Sequence, residues 1–462
     1  MTRVLIETHG CTLNQSDSDI IGAVLKSNGV EVEYGKYKSA MGDKYDYLVM
    51  NTCTVKKQTE QRITDRLQRF SGLGKRLIVA GCLASANPDI VRTAAPDASI
   101  LSTSKISSIN ELISSDSRQE LLGYSKVQKP ALLRPVRSTI ARIPISEGCL
   151  SACTFCETKS ARGPISSFEE KTILKAISMC AASGSKEIEL TSQDTGAYGA
   201  DTKTDISELV SKASEIKGDF MMRIGMLNPE HLHKYIDNLI RVFNEPGSKL
   251  FRFLHLPVQS GSNSVLMDMK RRYTIEEYAL LVKELRRRVS GISIATDVIV
   301  GYPAETEEAY AETRSMIADL KPTITNISKF SRRPHASASK LRQLHNDVIK
   351  RRSTELSRMV RLLQQQEYAK HVGSSLPVLV TERAGTTASG RDANYRPVGL
   401  ISAAGINTGD VVEAKLLRSS YACLVAEATR TLPFDSMLSG SMMQLHLQKA
   451  VSQTQPAGSE RT

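Results

Sequence analysis

Short apolar runs alternate with amphipathic helical patterns over residues 1–115. Strand-like runs lie at residues 4–8, 45–51 and 76–81, with a weaker fourth at 99–102. Between them, apolar residues recur three and four positions apart, as they do on one face of a helix. Alternation of strand and helix at this spacing predicts an open parallel sheet with helices on its faces.

A second set of strand and helix signals fills residues 139–335. Helical stretches such as 170–182 and 275–289 separate most of the strand-like runs, which lie at residues 140–145, 187–191, 220–224, 253–256, 292–300 and 326–330. Six repeats, rather than the eight of a complete barrel, predict an open, partial (βα)6 barrel. The intervening residues 116–138 are polar and contain prolines, which is typical of a linker.

The last third of the chain has a different pattern. A charged helix at residues 341–370 fills a basic connecting segment, residues 336–371. Residues 372–432 contain short strand-like runs at the spacing of a small five-stranded β-barrel. Residues 433–462 lack strong periodicity, so we expect a disordered tail. The predicted fold class is therefore α/β, with an N-terminal open parallel sheet, a central partial barrel and a small C-terminal β-barrel.

Composition adds little to the fold prediction, but it indicates where the protein is located and which partners it binds. Hydrophobic residues make up 40% of the 462 residues, and no run of about 18 apolar residues indicates a membrane span. The chain begins with a strand-like run that includes Glu7, so we expect a cytoplasmic protein without a signal peptide. The net charge of +12 favours a polyanionic partner such as nucleic acid, although charge alone also fits an ordinary basic protein.

Three of the eight cysteines, Cys149, Cys153 and Cys156, follow a C-x3-C-x2-C spacing. A structural zinc ion usually has four protein ligands, and a 4Fe–4S cluster is normally held by four thiolates. Three thiolates leave one iron of such a cluster without a protein ligand, and a small molecule can be chelated there. The alternatives are half of a zinc knuckle or three unrelated core thiols, but no second C-x2-C or His-rich partner lies nearby.

Three further cysteines, Cys11, Cys53 and Cys82, each follow a predicted strand of the N-terminal sheet. Ligands of open α/β sheets bind outside the carboxyl ends of the strands, so these thiols are expected to converge. They would form a second site with three thiolates, where Gly10 and Gly81 let the backbone approach a bulky cluster. The alternative is that they are small core residues, as we expect for Cys180 and Cys423.

The cysteine spacing and its flanks resemble a known family. C-x3-C-x2-C is the cluster motif of the radical S-adenosylmethionine (SAM) enzymes, and residues 141–149 and 161–163 resemble the methylthiotransferases among them. The similarity extends over about residues 1–430, including the surroundings of the three N-terminal cysteines. Residues 190–199, 223–229 and 255–260 look most like the tRNA threonylcarbamoyladenosine methylthiotransferases of archaea and eukaryotes.

This resemblance implies two 4Fe–4S clusters and a role for each cysteine trio. The cluster on Cys149, Cys153 and Cys156 would bind SAM and reduce it to methionine and a 5′-deoxyadenosyl radical. The cluster on the N-terminal trio would carry sulfur that a second SAM methylates. The product would be the 2-methylthio derivative of N6-threonylcarbamoyladenosine, beside the tRNA anticodon. A low-potential electron donor and a sulfur donor are the other implied partners.

The resemblance also implies which side chains handle the cofactor and the RNA. For each one, an ordinary turn or strand-end role is the alternative. The implied SAM contacts are Phe155, Gln193, Asp194, Arg223, Asn228, Gln259 and Gly301. Residues 372–432 resemble the TRAM domain, an RNA-binding module, and its candidate RNA contacts are Arg383, Arg391, Tyr395 and Arg396.

Several polar residues near these motifs receive ordinary structural interpretations. Asn14 is interpreted as a helix N-cap rather than a cluster-orienting group, and His231, His233 and His345 are expected at the surface. Residues 331–336 depart from the family's more usual Arg-Pro-Gly-Thr form. Their basic run is a hypothetical contact for the threonyl carboxylate.

Two alternative functions stay open at this point. The first is a methylthiotransferase that acts on another tRNA adenosine or on a ribosomal protein, although a protein substrate needs no basic RNA-binding barrel. The second is a non-catalytic RNA-binding protein that holds zinc.

Overall fold

Six parallel strands form the N-terminal sheet, in the spatial order β2-β1-β3-β4-β5-β6. The structure is a computed structural model that describes residues 1–438 except 43, 56 and 135–137. The strands are β1 (Arg3–Thr8), β2 (Glu31–Tyr34), β3 (Tyr47–Thr52), β4 (Arg76–Gly81), β5 (Ser99–Leu101) and β6 (Glu120–Leu121). The helices are α1 (Thr12–Ser27), α2 (Lys57–Ser71), α3 (Cys82–Ala86), α4 (Pro88–Ala94), α5 (Ile109–Ser114) and α6 (Lys129–Leu132).

The inner strands of this sheet are buried on both faces. Every residue of β3 is buried, and β4 is buried except at Arg76, because helices cover both sides. The strand predictions at these positions are confirmed. Sequence patterns missed β2, a half-exposed edge strand, and β6, two residues within the predicted linker. Residues 135–137 of that linker lie outside the described part of the chain.

The central region forms a curved, open barrel of parallel strands. Two three-stranded sheets, β7-β10-β11 and β12-β13-β14, are joined by isolated bridges such as Met226 to His255. The barrel strands are β7 (Ile140–Pro144), β10 (Glu187–Thr191), β11 (Met221–Ile224), β12 (Phe253–His255), β13 (Ser293–Val300) and β14 (Ile324–Lys329), and β8 (Ser146–Glu147) and β9 (Ser166–Ser167) form a separate antiparallel pair. The helices are α7 (Thr158–Arg162), α8 (Glu170–Ala182), α9 (Ile206–Ser214), α10 (Pro229–Leu232), α11 (Ile236–Asn244), α12 (Asn263–Asp268), α13 (Ile275–Arg288) and α14 (Glu307–Leu320).

Alternation along these strands separates an apolar outer face from a polar inner face. On β10, Ile188 and Leu190 belong to the large hydrophobic core that includes helix α8, whereas Glu187 and Glu189 lie on the opposite face. Successive residues of a strand point to opposite faces, so the glutamates line the inside of the barrel. Arg142 pairs with Glu189 in the register of β7 and β10 and shares this inner face.

A long helix, α15 (Asn346–Ala369), leads into a closed five-stranded barrel of strand order β15-β16-β17-β19-β18. Its strands are β15 (Ser375–Ala384), β16 (Thr387–Asp392), β17 (Pro397–Leu400), β18 (Val411–Ser419) and β19 (Leu424–Leu432). The predicted α/β fold class, with its parallel sheet, partial barrel and small β-barrel, is confirmed.

The end of the described chain packs against the protein. Met437 is fully buried, in a cluster with Phe251 and Phe253, and Phe434 lies under Lys186. This differs from the disorder expected from residue 433 onward, and the reason is that these apolar side chains cover the junction of the two barrels. Residues 439–462, where the rest of that tail was expected, lie outside the described part. None of the described helices is long and apolar enough to span a membrane.

Candidate active site

The C-x3-C-x2-C loop lies between β8 and α7, above the carboxyl end of the first barrel strand. Cys149 and Cys153 are partly buried and Cys156 is exposed. Burial, with a contribution from the Asp194 carboxylate, raises the pKa of the Cys149 thiol to about 12. The Arg271 guanidinium donates to the Cys153 sulfur at 3.6 Å, and this positive charge favours the thiolate.

The N-terminal trio meets around one amide side chain. Cys11 and Cys82 each donate a thiol hydrogen bond, at 3.6 Å, to the same oxygen, Oδ1 of Asn14. The Asn14 amide nitrogen donates to the carbonyls of Thr52 at 2.6 Å and His9 at 3.1 Å, which fixes the loop before Cys53. The N-cap interpretation of Asn14 is wrong, because the N-cap residue is Cys11 and Asn14 points at the thiols.

Two glycines make this convergence of three loops possible. Gly10 and Gly81 have φ angles of +127° and +94°, in a region that L side chains rarely adopt. A Cβ atom at Gly10 would lie 2.9 Å from Cβ of Cys53, and one at Gly81 would lie 2.3 Å from Oδ1 of Asn51. We expected these glycines to let the backbone approach a cluster. They also let the neighbouring loops pack closely against each other.

Arg162 connects the two cysteine sites. Its guanidinium donates to the Cys82 sulfur at 3.2 Å, to Asn14 Oδ1 at 3.1 Å, to Asp17 at 2.7 Å and to Glu147 at 2.8 Å. Lys129 also pairs with both carboxylates, at 2.8 and 2.6 Å. Sequence patterns missed this network because its members are distant in the chain. The only signal was the position of Arg162 just after the cysteine loop.

A second buried arginine, Arg333, bridges the same two regions on another side. It pairs with Glu60 at 3.0 Å and lies 3.9 Å from Glu157, the residue after Cys156. The hydroxyl of Thr54, the residue after Cys53, lies within hydrogen-bond distance of both glutamates and can donate to either of them. The basic run at residues 331–336 therefore meets protein carboxylates through Arg333, and its hypothetical contact with a threonyl carboxylate is untested.

Three of the predicted SAM contacts, Gln193, Asp194 and Asn228, lie beside the cysteine loop. Asp194 Oδ1 accepts from the backbone N–H of Gly196 and of Asn228, at 3.0 and 2.9 Å. The Asn228 amide donates to the hydroxyl of Ser151, inside the C-x3-C segment, at 3.0 Å. Within the described residues, Asp194 Oδ2 and Gln193 Oε1 are buried oxygens that accept no hydrogen bond, and His231 Nε2 lies 3.3 Å from Asp194 Oδ2 without hydrogen-bond geometry.

The remaining predicted SAM contacts are spread around the barrel. Phe155 packs beside Tyr302 and Phe330, and Gln259 has a φ angle of +76°. The Gly301 backbone N–H donates to Glu305 at 2.7 Å. Arg223 contacts Glu189 at 3.3 Å and lies over the rings of Phe253 and Tyr395, lower in the barrel.

One histidine expected at the surface is buried beside this pocket. His231 is only 7% exposed, and its Nε2 lies 3.3 Å from both Asp194 and Glu230. The expectation for His231 is wrong, because Asn228 caps the short helix α10 and its first turn directs the ring inward. His233 and His345 are exposed, as expected.

Two of the four candidate RNA contacts are also directed inward. Tyr395 donates to Glu187 at 2.6 Å, inside the partial barrel, and Arg396 is buried against Asp392 at 2.6 Å. These two expectations are wrong. The turn that follows strand β16 packs into the partial barrel, so its side chains contact the protein interior. Arg383 is exposed, and Arg391 is partly exposed.

The donor sets suit clusters better than single ions. No three His, Cys, Asp or Glu side chains in the described ranges are placed to hold one metal ion. A 4Fe–4S cluster offers a separate iron to each thiolate, so its ligands need not surround one point. Each trio supplies three thiols, with an arginine beside one sulfur, and this arrangement fits an anionic iron–sulfur cluster.

Sequence comparisons agree with this geometry. Residues 3–102 match the uncharacterized protein family UPF0004, and residues 143–317 match the radical SAM superfamily, which implies SAM and a 4Fe–4S cluster as cofactors. A relative in Methanothermobacter thermautotrophicus, named "Probable threonylcarbamoyladenosine tRNA methylthiotransferase", is 37% identical over 86% of this chain and 93% of its own length. A relative of the same name in Archaeoglobus fulgidus is 35% identical over 93% of this chain and its whole length.

A eukaryotic relative and a solved structure complete the comparison. The threonylcarbamoyladenosine tRNA methylthiotransferase of Xenopus laevis is 34% identical over 83% of this chain and 69% of its own length. The radical SAM methyltransferase TsrM of Kitasatospora setae shares the fold, with a TM-score of 0.54, 14% identity and coverage of 73% of this chain and 74% of its own. The chain belongs to the radical SAM methylthiotransferases, in the family of the threonylcarbamoyladenosine tRNA methylthiotransferases.

Proposed function

We propose that this protein converts N6-threonylcarbamoyladenosine beside the tRNA anticodon into its 2-methylthio derivative. The observation that carries the proposal is the Arg162 network, which holds two three-cysteine sites against each other. In the proposed reaction, a single substrate carbon would lie between the two cofactors. The names of relatives that share most of the chain support the substrate.

Each cysteine trio has its own role in this proposal. Cys149, Cys153 and Cys156 would hold the cluster that binds SAM, and Cys11, Cys53 and Cys82 would hold a second 4Fe–4S cluster. When bound, these groups would supply reductive cleavage of SAM and the methylthio group for transfer. The protein itself positions the two sites through Arg162 and Arg333, and both arginines place positive charge beside the thiols.

The ends of the barrel strands would hold SAM. Asp194 and Gln193 each present a buried oxygen that accepts no hydrogen bond, with only His231 Nε2 at 3.3 Å from Asp194, and this suits the ammonium group of a methionyl moiety. Asn228 ties this pocket to the cysteine loop through Ser151. Phe155, Gln259 and Gly301 are proposed to line the rest of the pocket, and Arg223 to close its lower end.

A tRNA substrate agrees with the charge and architecture of the protein. The net charge of +12 favours phosphate contacts, and the small β-barrel extends the site with exposed basic residues such as Arg383. A low-potential electron donor and a sulfur donor are required partners of the proposed reaction, which would take place in the cytoplasm, where tRNA is modified.

Mass spectrometry of tRNA nucleosides tests the proposed function. A deletion strain should lose the 2-methylthio nucleoside and retain N6-threonylcarbamoyladenosine, and the wild-type gene should restore it. A Cys153→Ala gene should not restore it, whereas a Cys423→Ala gene should. Retention of the methylthio nucleoside in the deletion strain would contradict the proposal.

Anaerobic reconstitution separates the enzyme from a zinc-binding protein. About eight irons per chain would fit two clusters of four. Stoichiometric zinc without iron would instead support a non-catalytic role.

A further inference from the structure

A polar cavity of about 170 Å³ lies where the three parts of the molecule meet. Helix α1 contributes Gln15, the barrel strands contribute Arg142, Glu187 and Glu189, and the small β-barrel contributes Arg391 and Tyr395. Polar and charged side chains make up almost all of its lining. The proposed SAM pocket adjoins the cavity through Arg223, which contacts Glu189 and Tyr395, but none of the proposed SAM contacts is among the described residues that line the cavity.

Glu187 is a buried carboxyl group with an unused oxygen. It is 1% exposed, and its Oε1 accepts the Tyr395 hydroxyl at 2.6 Å. Its Oε2 has no hydrogen-bond partner among the residues that the structure describes. Burial and the neighbouring Glu189 raise the pKa of Glu187 to about 7, so near neutral pH the group can either donate or accept. Glu187 lines the cavity, and a buried carboxyl oxygen without a donor there favours a ligand with N–H or O–H groups.

The cavity also presents the Arg391 guanidinium, whose positive charge acts on the Glu187 carboxyl group without forming an ion pair with it. Arg391 makes no ion pair within the described part of the chain; it lies against the Tyr395 ring and donates only to the carbonyl of Gly390. Arg142 is close by, but its Nε is 3.3 Å from Glu189 without hydrogen-bond geometry. An arginine fork of this kind favours bidentate pairing with a carboxylate.

Tyr395 is held rigidly at the wall of the cavity. Its φ angle of +62° is unusual for a residue other than glycine, and the Asp392 carboxylate fixes the turn through the N–H groups of Asn394 and Arg396. Phe251 and Phe253 pack against the ring at centroid distances of 4.9 Å. The Tyr395 hydroxyl therefore orients Glu187 without depending on a bound ligand.

The cavity borders the N-terminal cysteine trio, because Thr12, the residue after Cys11, is part of its lining. The backbone N–H of Gln15 donates to the carbonyl of Cys11, so the cavity wall and this cysteine share one helical turn. Arg142 lies on β7, the strand that leads into the Cys149 loop. In adenine, C2 and the N6 nitrogen flank N1 on the same edge of the ring. A group attached to N6 therefore projects beside the carbon that would receive sulfur.

We propose that this cavity binds the threonylcarbamoyl group of the substrate nucleoside, with Arg391 pairing with its carboxylate. Glu187 and Glu189 accept hydrogen bonds from its ureido N–H groups and its hydroxyl, and Arg142 supports the carboxylate from the opposite wall. This assignment rests on the proposed function. An isopentenyl group, which offers no hydrogen bonds, would leave the second Glu187 oxygen and the Arg391 guanidinium without a ligand partner, so the same cavity discriminates against isopentenyladenosine.

Binding of matched RNAs tests the proposal. Anticodon stem-loops with N6-threonylcarbamoyladenosine or plain adenosine at the same position are titrated onto the full-length, cluster-loaded protein. The wild type should prefer the modified RNA by about tenfold or more, as expected for a charge-assisted pair. Arg391→Gln and Glu187→Leu should each bring this preference to within about twofold. Glu427→Gln, which changes an exposed carboxylate of the same small barrel, should leave the preference unchanged.

Two results separate this inference from the proposed function. If the wild type methylthiolates threonylcarbamoyladenosine in tRNA but Arg391→Gln keeps the full preference, the cavity assignment is overturned and the function stands. If the wild type forms no methylthio product and shows no preference between the RNAs, both are overturned. Circular dichroism and iron content of each variant show whether a loss of preference reflects misfolding. Glu187→Gln, which retains the shape of Glu187, should lose less preference than Glu187→Leu.

Discussion

Arg162 donates from Nε to the sulfur of Cys82 at 3.2 Å and so joins two regions that are 80 residues apart in the chain. The same guanidinium reaches Asp17 and Glu147. Burial alone would raise the pKa of Asp17, but Arg162 and Lys129 hold it below its usual value. The two cysteine sites are therefore held together by a buried charge network.

Replacement of Arg162 should destabilise this junction. Arg162→Gln leaves two buried carboxylates with Lys129 as their only cation in the network, and a broken buried pair costs about 3–5 kcal/mol. Chemical denaturation measures the loss. The exposed control Arg383→Gln should change stability by no more than about 0.5 kcal/mol. Equal stability of Arg162→Gln and the wild type would contradict the role of this network.

The two cysteine trios should lose different activities. Cys153→Ala should abolish cleavage of SAM, because it removes a ligand of the proposed SAM-binding cluster. Cys82→Ala should retain SAM cleavage and lose sulfur transfer. Iron analysis should give about four irons per chain in each variant. Cys180→Ala, a core cysteine, is the matched control and should retain both activities. Loss of both activities in folded Cys82→Ala would contradict divided roles.

Asn14 should be required for iron binding at the N-terminal cysteine trio rather than for the formation of helix α1. Asn14→Asp keeps the shape of the side chain but replaces its N–H donor to Thr52 and His9 with an acceptor. We expect a loss of about 1–3 kcal/mol and a fall from about eight to about four irons per chain. Ser27→Ala, at the far end of the same helix, should retain full iron content. Normal iron content in Asn14→Asp would show that the thiols do not depend on this amide.

Gly301 should tolerate no side chain, and packing is the reason. Its φ angle is +81°, and a Cβ atom would lie 2.5 Å from Cγ1 of Ile349 on α15. Gly301→Ala should lower the melting temperature. In a protein that already carries Ile349→Ala, the same Gly301→Ala change should lower the melting temperature by less than it does in the wild type. If the double variant shows no such coupling, backbone strain or cofactor contact explains the glycine better than the helix does.

Glu187 should give stability a distinct pH dependence. Its folded-state pKa of about 7 lies above the unfolded value near 4.5, so the folded protein binds more protons between these limits. Stability should therefore fall as pH rises from about 4.5 to 7, by at most about 1.4 kcal/mol per pH unit for one proton. Denaturation of wild type and Glu187→Gln over this range measures the difference. The exposed control Glu111→Gln should show the same dependence of stability on pH as the wild type. If Glu187→Gln also shows that dependence, the raised pKa of Glu187 is contradicted.

Local patterns along the chain were enough to predict the parts of the fold in which strands and helices alternate. The apolar runs of β1, β3 and β4 predict buried parallel strands, and parallel strands end at one edge, where Cys11, Cys53 and Cys82 follow them. Patterns were weaker for β2 and β6, because an exposed edge strand and a two-residue strand need little apolar sequence.

The sequence by itself determined the six cysteines, the order of the domains and the family, because spacing and periodicity are properties of neighbouring residues. Only the tertiary structure decided that Arg162 meets Cys82, that Arg333 joins the two cysteine loops and that Tyr395 enters the barrel to orient Glu187. Such contacts join side chains far apart in the chain. Their energy depends on burial and on the distance between charges, which no local pattern records.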